Sequence, residues 1–82
     1  MKVTLESTDK ILRLVVDGHE VPARLWEGAT EGGVAVVAFI TRISPQTHDE
    51  ATNATFAREL IETCKPKLEG PWDRPIDLRY IL

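Results

Sequence analysis

The chain has 82 residues, a single cysteine and a formal net charge of −3. One cysteine excludes an internal disulfide, and no Cys or His grouping has the spacing of a structural zinc site. Thirteen acidic residues against ten basic ones, interleaved from end to end, disfavour a broad phosphate-tracking face for duplex DNA or RNA.

A domain this small buries a modest core, so a second copy of the chain is an expected source of stability. No apolar run approaches the roughly 20 residues of a membrane span. Met1-Lys2 leads straight into strand-like alternation instead of a signal-peptide core, so the expected location is cytoplasmic. In that setting Asn53-Ala54-Thr55 matches a glycosylation acceptor by chance.

The segment KVTLES alternates, with Val3, Leu5 and Ser7 on one face, and predicts a first strand. STDK reads as a turn. ILRLVV predicts a second strand with Leu12, Leu14 and Val16 facing inward, and Asp17-Gly18 supplies the positive-φ turn of a tight hairpin. A third strand begins near Glu20. Pro22 lacks a backbone donor, which predicts an edge or a bulge there.

EGATEGG, residues 27 to 33, reads as a glycine-rich hairpin end or lid; it lacks the Gly-Lys-Ser/Thr close of a phosphate loop and opens no helix. VAVVAFITRI is apolar on both faces until Thr41 and Arg42, which predicts a central strand covered on each side. Thr47 and Glu50 have the spacing of a capping box. A helix is predicted over residues 48 to 64, with Ala54, Ala57, Leu60 or Ile61, and Cys64 on its apolar stripe and Pro66 beyond its end. After the loop KLEGPWDRP, IDLRYIL alternates again through Ile76, Leu78, Tyr80 and Leu82.

The fold class expected from this order is α+β in one domain over residues 1–82. It comprises a mostly antiparallel sheet of about five strands (β-β-β-β-α-β) with one helix packed on one face. A single helix covers one face only, so the other must be polar or meet a partner.

The candidate ligand-binding residues are Arg24, Trp26, Arg42, Ser44, Thr47, Arg58 and Arg79. Along an extended strand Glu20, Pro22, Arg24 and Trp26 share one face, while Val21, Ala23 and Leu25 share the other, which is the natural core set. An indole can stack on a flat ligand while a guanidinium grips its phosphate or carboxylate. The competing account is that Trp26 fills a subunit interface with Arg24 lying along it.

Arg42, Ser44, Thr47 and His48 stand where a strand end meets a helix N-terminus, an arrangement that gathers amides and dipole for an anion. An ordinary cap with Arg42 paired to Asp49 or Glu50 explains the same residues. Arg58, Arg74 and Arg79 could complete a phosphate clamp, or form solvated ion pairs with Asp73 and Asp77.

No catalytic set is evident. Cys64 lies near a helix C-terminus, where the dipole disfavours a thiolate. His19 and His48 lack partners fixed by spacing, and Glu59 with Glu62 lacks a supporting histidine for a metal. The reading is non-enzymatic, with no cofactor and no metal.

At VTLEST.K, VPARLWEG.TE.G, FITRI and the C-terminal P..LR.IL, the chain resembles a family of small, largely uncharacterised proteins encoded by tailed phages and prophages of proteobacteria. The resemblance covers most of the first 43 residues and the last few. It implies a protein made in the host cell that sequesters a defence signal, blocks a host protein, or assists assembly or gene control. The arginine preference and the indole favour sequestration of an anionic host signalling nucleotide by a homo-oligomer, an anti-defence sponge. The alternative is an inhibitor of a host protein acting through a sheet face or strand edge.

Overall fold

The structure is a computed structural model and describes residues 1–77. Its framework is three antiparallel strands, β1 (Val3–Val16), β2 (His19–Thr30) and β3 (Ala35–Ile40), followed by one helix, α1 (Glu50–Leu60). A two-residue β4 (Ile76–Asp77) pairs in parallel with Leu14 and Val15. The sheet order is β3-β2-β1-β4. The fold is thus α+β, but not five-stranded. Leu78, Tyr80 and Leu82 of the expected last strand lie outside the described residues.

The expected first and second strands are one. Ser7–Lys10 does not reverse the chain; β1 advances from Ser7 to Ile11 while β2 moves only from Trp26 to Arg24. The surplus residues form a bulge, and the alternation on either side stays in phase. Thr8 is fully buried there, its hydroxyl donating to the Leu25 carbonyl at 2.7 Å and accepting from the Lys10 amide at 3.3 Å. A polar residue within a bulge and a polar residue within a turn look alike in sequence.

At the far end of β1, Asp17 (φ 51°) and Gly18 (φ 78°) make the tight turn expected of that dipeptide, and Val16 faces His19 across it. The second hairpin has a three-residue loop, Glu31 to Gly33. Thr30 and Val34 close it, with Thr30 N donating to Val34 O at 2.9 Å and Gly33 N to Thr30 O at 2.9 Å. The glycine-rich segment is therefore mostly strand, with only Glu31 to Gly33 of it outside β2, and it is not a lid. Gly28 permits the close approach of β1: a Cβ there would collide with the backbone carbonyl of Thr4.

β3 is an edge strand, not a central one. Its residues Val36 to Ile40 are half-buried on both faces, and among the described residues no strand lies on their outer side. Pro22 falls in the part of β2 that β3 does not reach, since β2–β3 pairing starts at Arg24 with Ile40. A missing N–H costs no ladder bond there. β2 is central over Arg24–Ala29 and an edge before it.

The core consists of Leu12, Leu14, Ala23 and Leu25 on one face of the sheet, with Val16, Val37, Phe39, Trp72 and Ile76 packed against them. The cover of this face is the irregular segment after the helix. The carboxylate of Glu27, itself buried, accepts from the Lys67 amide at 2.8 Å and from the Leu68 amide at 2.7 Å. Trp72 then meets Phe39 edge-on, with ring centroids 5.5 Å apart.

α1 does not fill this role, because none of its residues is buried. The expected stripe explains why. Ala54 and Ala57 carry little apolar surface, whereas an indole such as Trp72 brings on the order of 200 Å². The helix is also shorter than expected, ending at Leu60, and its N-cap is Asp49 in place of Thr47. Asp49 Oδ2 accepts from the Thr52 amide at 2.9 Å and from the Thr52 hydroxyl at 2.6 Å.

Candidate functional site

The faces of the sheet are chemically different, and β2 shows why. Cross-strand partners share a face. Ala23, Leu25 and Glu27 point to the core with Leu12, Phe39 and Val37 as partners, so Arg24 and Trp26 point the other way, beside Ile11 and Ile40 and beside Ser7 and Ala38. The chain leaving β3 and the last residue of α1 rise over this second face. They enclose a concavity of about 460 Å³ in which Arg24, Trp26, Arg42 and Ser44 converge, walled by apolar groups including Ile11, Ile40 and Leu60.

The two guanidiniums are held differently. Arg24 is half-buried, and its Nη1 donates to the Thr8 carbonyl at 2.7 Å, which ties β2 to the bulge of β1. A guanidinium has five N–H donors, so this bond leaves others uncommitted. Arg42 is exposed and forms no ion pair or hydrogen bond within the described residues. Among the described residues no carboxylate lines the concavity. In a chain with more acids than bases, that leaves a locally positive, largely apolar hollow.

Thr47 and Arg58 lie elsewhere. Thr47 Oγ1 accepts from the Asp49 amide at 3.1 Å, and Thr47 does not line the concavity. The Asp49 carboxylate occupies the helix N-terminus and holds the Thr52 amide that an incoming anion would need. Hydrogen bonds from the Thr52 hydroxyl and then the Thr52 amide hold the Asp49 carboxyl below its ordinary range. Arg58 sits in the last turn of α1, where its charge complements the helix dipole. Arg79 lies outside the described residues.

Three structural contributors were not singled out from sequence. Thr8 is hidden when residues 7 to 10 read as a turn, while Ile11 opens the strand segment ILRLVV on the face opposite Leu12, Leu14 and Val16 and is brought to the concavity only by the tertiary fold. Glu27 had a signal: the alternation of Val21, Ala23 and Leu25 runs on to it, and a carboxylate at the next core position requires donors. Cys64 lies beyond α1, not on it. Its amide donates to the Ser7 carbonyl at 3.2 Å, its thiol to the same oxygen at 3.3 Å, and its carbonyl accepts from the Asp9 amide at 2.8 Å. It serves as a short parallel bridge along the bulge.

A second concavity of about 390 Å³ lies on the core side, lined by Glu6, Glu27, Gly28, Cys64 and Leu68 among others. The Glu27 carboxylate is already committed to two backbone amides there. Among the described residues no cluster of three His, Cys, Asp or Glu could hold a metal ion, and no helix is long and apolar enough to cross a membrane.

Comparison with protein-family models, with curated proteins and with solved structures returned no match.

Proposed function

We propose that the protein is a non-enzymatic binding protein that sequesters a small anionic ligand of the nucleotide class in the concavity beside Arg24, Trp26, Arg42 and Ser44. The observation that carries this reading is the charge of the lining: two arginines and, among the described residues, no carboxylate, in a largely apolar wall that includes an indole and the hydroxyl residues Thr41 and Ser44. Such a wall suits a ligand with a flat ring and a phosphate or carboxylate. With the resemblance to phage-encoded proteins, the ligand class becomes a host signalling nucleotide, removed from circulation without chemical change.

A second reading is favoured by the rim. Ile11 is 52% exposed, Ile43 47% and Leu60 41%, and Ile61 beside them is 79% exposed. Apolar groups clustered around a hollow also suit a protein partner, as in an inhibitor of a host protein.

The discriminating experiment mixes the protein with lysate from cells whose nucleotide-based defence has been triggered, re-isolates it, and identifies released small molecules by mass spectrometry. Arg42→Ala is the control of choice, because Arg24 also supports the fold. Intact nucleotide released from the wild type, with affinity reduced roughly tenfold or more in Arg42→Ala, is the expected result. Converted nucleotide would mean an enzyme. Failure to capture any nucleotide would shift the assignment to the protein inhibitor.

A further inference from the structure

We propose that β3 pairs with β3 of a second copy of the chain, antiparallel about a two-fold axis at Val37, to join two sheets into one. The inference concerns the sheet edge and holds whether or not the concavity takes a ligand; in the pair, Glu31 of the second copy meets Arg42 and brings to the concavity a carboxylate that its lining in the single chain does not show.

β3 stands at the end of the strand order, and no described residue pairs with its outer side. Alternate N–H and C=O groups of an edge strand point outward, and only another strand satisfies them in series. Natural edges are usually protected by a charge, a proline or a bulge. From Gly32 to Thr41 the sequence is GGVAVVAFIT, without a charged residue or a proline, and the β2–β3 register is unbroken from Arg24 with Ile40 to Ala29 with Ala35.

The flanking charges choose the occupant and the direction. Glu31 precedes this uncharged stretch and Arg42 follows it. In an antiparallel self-pairing each Glu31 comes near Arg42 of the other copy, twice over, whereas a parallel arrangement would set like charges together. Two-fold symmetry about the sheet normal keeps both core faces on one side, so paired positions must share a face.

Centring on Val37 meets this requirement and uses the whole strand. It sets Ala35 opposite Phe39 on the core face, and Val36 opposite Ala38 on the other, a small residue against a larger one in each case. Val34, 61% exposed in the single chain, then lies opposite Ile40. Since Ile40 also lines the concavity, Val34 of the second copy would extend its wall.

Sedimentation velocity over a concentration series, from low micromolar to the solubility limit, tests the pairing alongside hydrogen exchange of the Ala35–Ile40 amides. The wild type should sediment as two chains at high concentration, with exchange in β3 slowing as the dimer forms. Glu31→Arg and Arg42→Glu, both at exposed positions, should each weaken the dimer by roughly tenfold, and the double variant should regain most of the loss. A monomer at every concentration would overturn the proposal. So would a dimer indifferent to these charge reversals, or one that leaves β3 exchange unchanged.

Discussion

The guanidinium of Arg24 donates to the Thr8 carbonyl at 2.7 Å, across the only register break between β1 and β2. A side chain from the regular strand thus supports the irregular one. Arg24→Ala removes a charge-assisted bond and leaves the carbonyl of the buried Thr8 without its donor, so it should cost about 2 kcal/mol of stability by urea denaturation. Arg42→Ala, on an exposed side chain, should stay within about 0.5 kcal/mol of wild type. Equal effects from the two substitutions would show that Arg24 does not hold the bulge.

Glu27 holds the segment that closes the core. Glu27→Ala leaves the Lys67 and Leu68 amides without their acceptor and should cost about 3 kcal/mol, with Glu27→Gln costing less because one oxygen remains. The near-UV circular dichroism of Trp72 should weaken with it, since the anchored segment carries that indole to Phe39. An unchanged aromatic signal in a folded Glu27→Ala protein would show that Trp72 docks independently of Glu27.

Asp49 gives the helix an acid limit. Its folded-state pKa lies below the ordinary value of 3.8, through the Thr52 hydroxyl first and the Thr52 amide second. A depressed carboxyl contributes stability that is full above its unfolded pKa and is lost as pH falls through the folded one. Helix content, read by circular dichroism, should therefore decline on acidification below about pH 4. Asp49→Asn retains a good cap without a titrating group and should flatten this dependence; Asp49→Ala should lower helix content at neutral pH. Matching acid profiles for wild type and Asp49→Asn would remove Asp49 as the cause.

The legible parts of the fold were those governed by local chemistry. Asp17-Gly18 can make few turns other than the one observed, and the alternation around Arg24 and Trp26 separates them from Ala23 and Leu25 whatever the surroundings. Position within the sheet was harder to read. β3 is apolar on both faces, as a central strand would be, yet it lies at the edge. The cover of the core leaves no periodic trace: a stripe of small residues marks a helix that buries nothing, whereas the packing comes from one indole in an irregular loop. The convergence of Arg24 with Arg42 and Ser44 is tertiary, set by the path of the chain after β3, and no spacing along the sequence encodes it.

The segment from Lys65 to Ile76 comes late in the chain, yet it seals a face built from β1 and β2. During synthesis on the ribosome, the hairpin would emerge with Leu12, Leu14 and Leu25 unsealed until some forty further residues had followed, judging by the 40-residue separation of Glu27 from Lys67. A still later closure joins Arg13 to the Asp73 carbonyl, 60 residues away. Such distant partners slow folding and prolong the exposure of sticky surface. A nascent chain stalled before Trp72 should therefore be a strong client for chaperones, even though it already contains all three long strands.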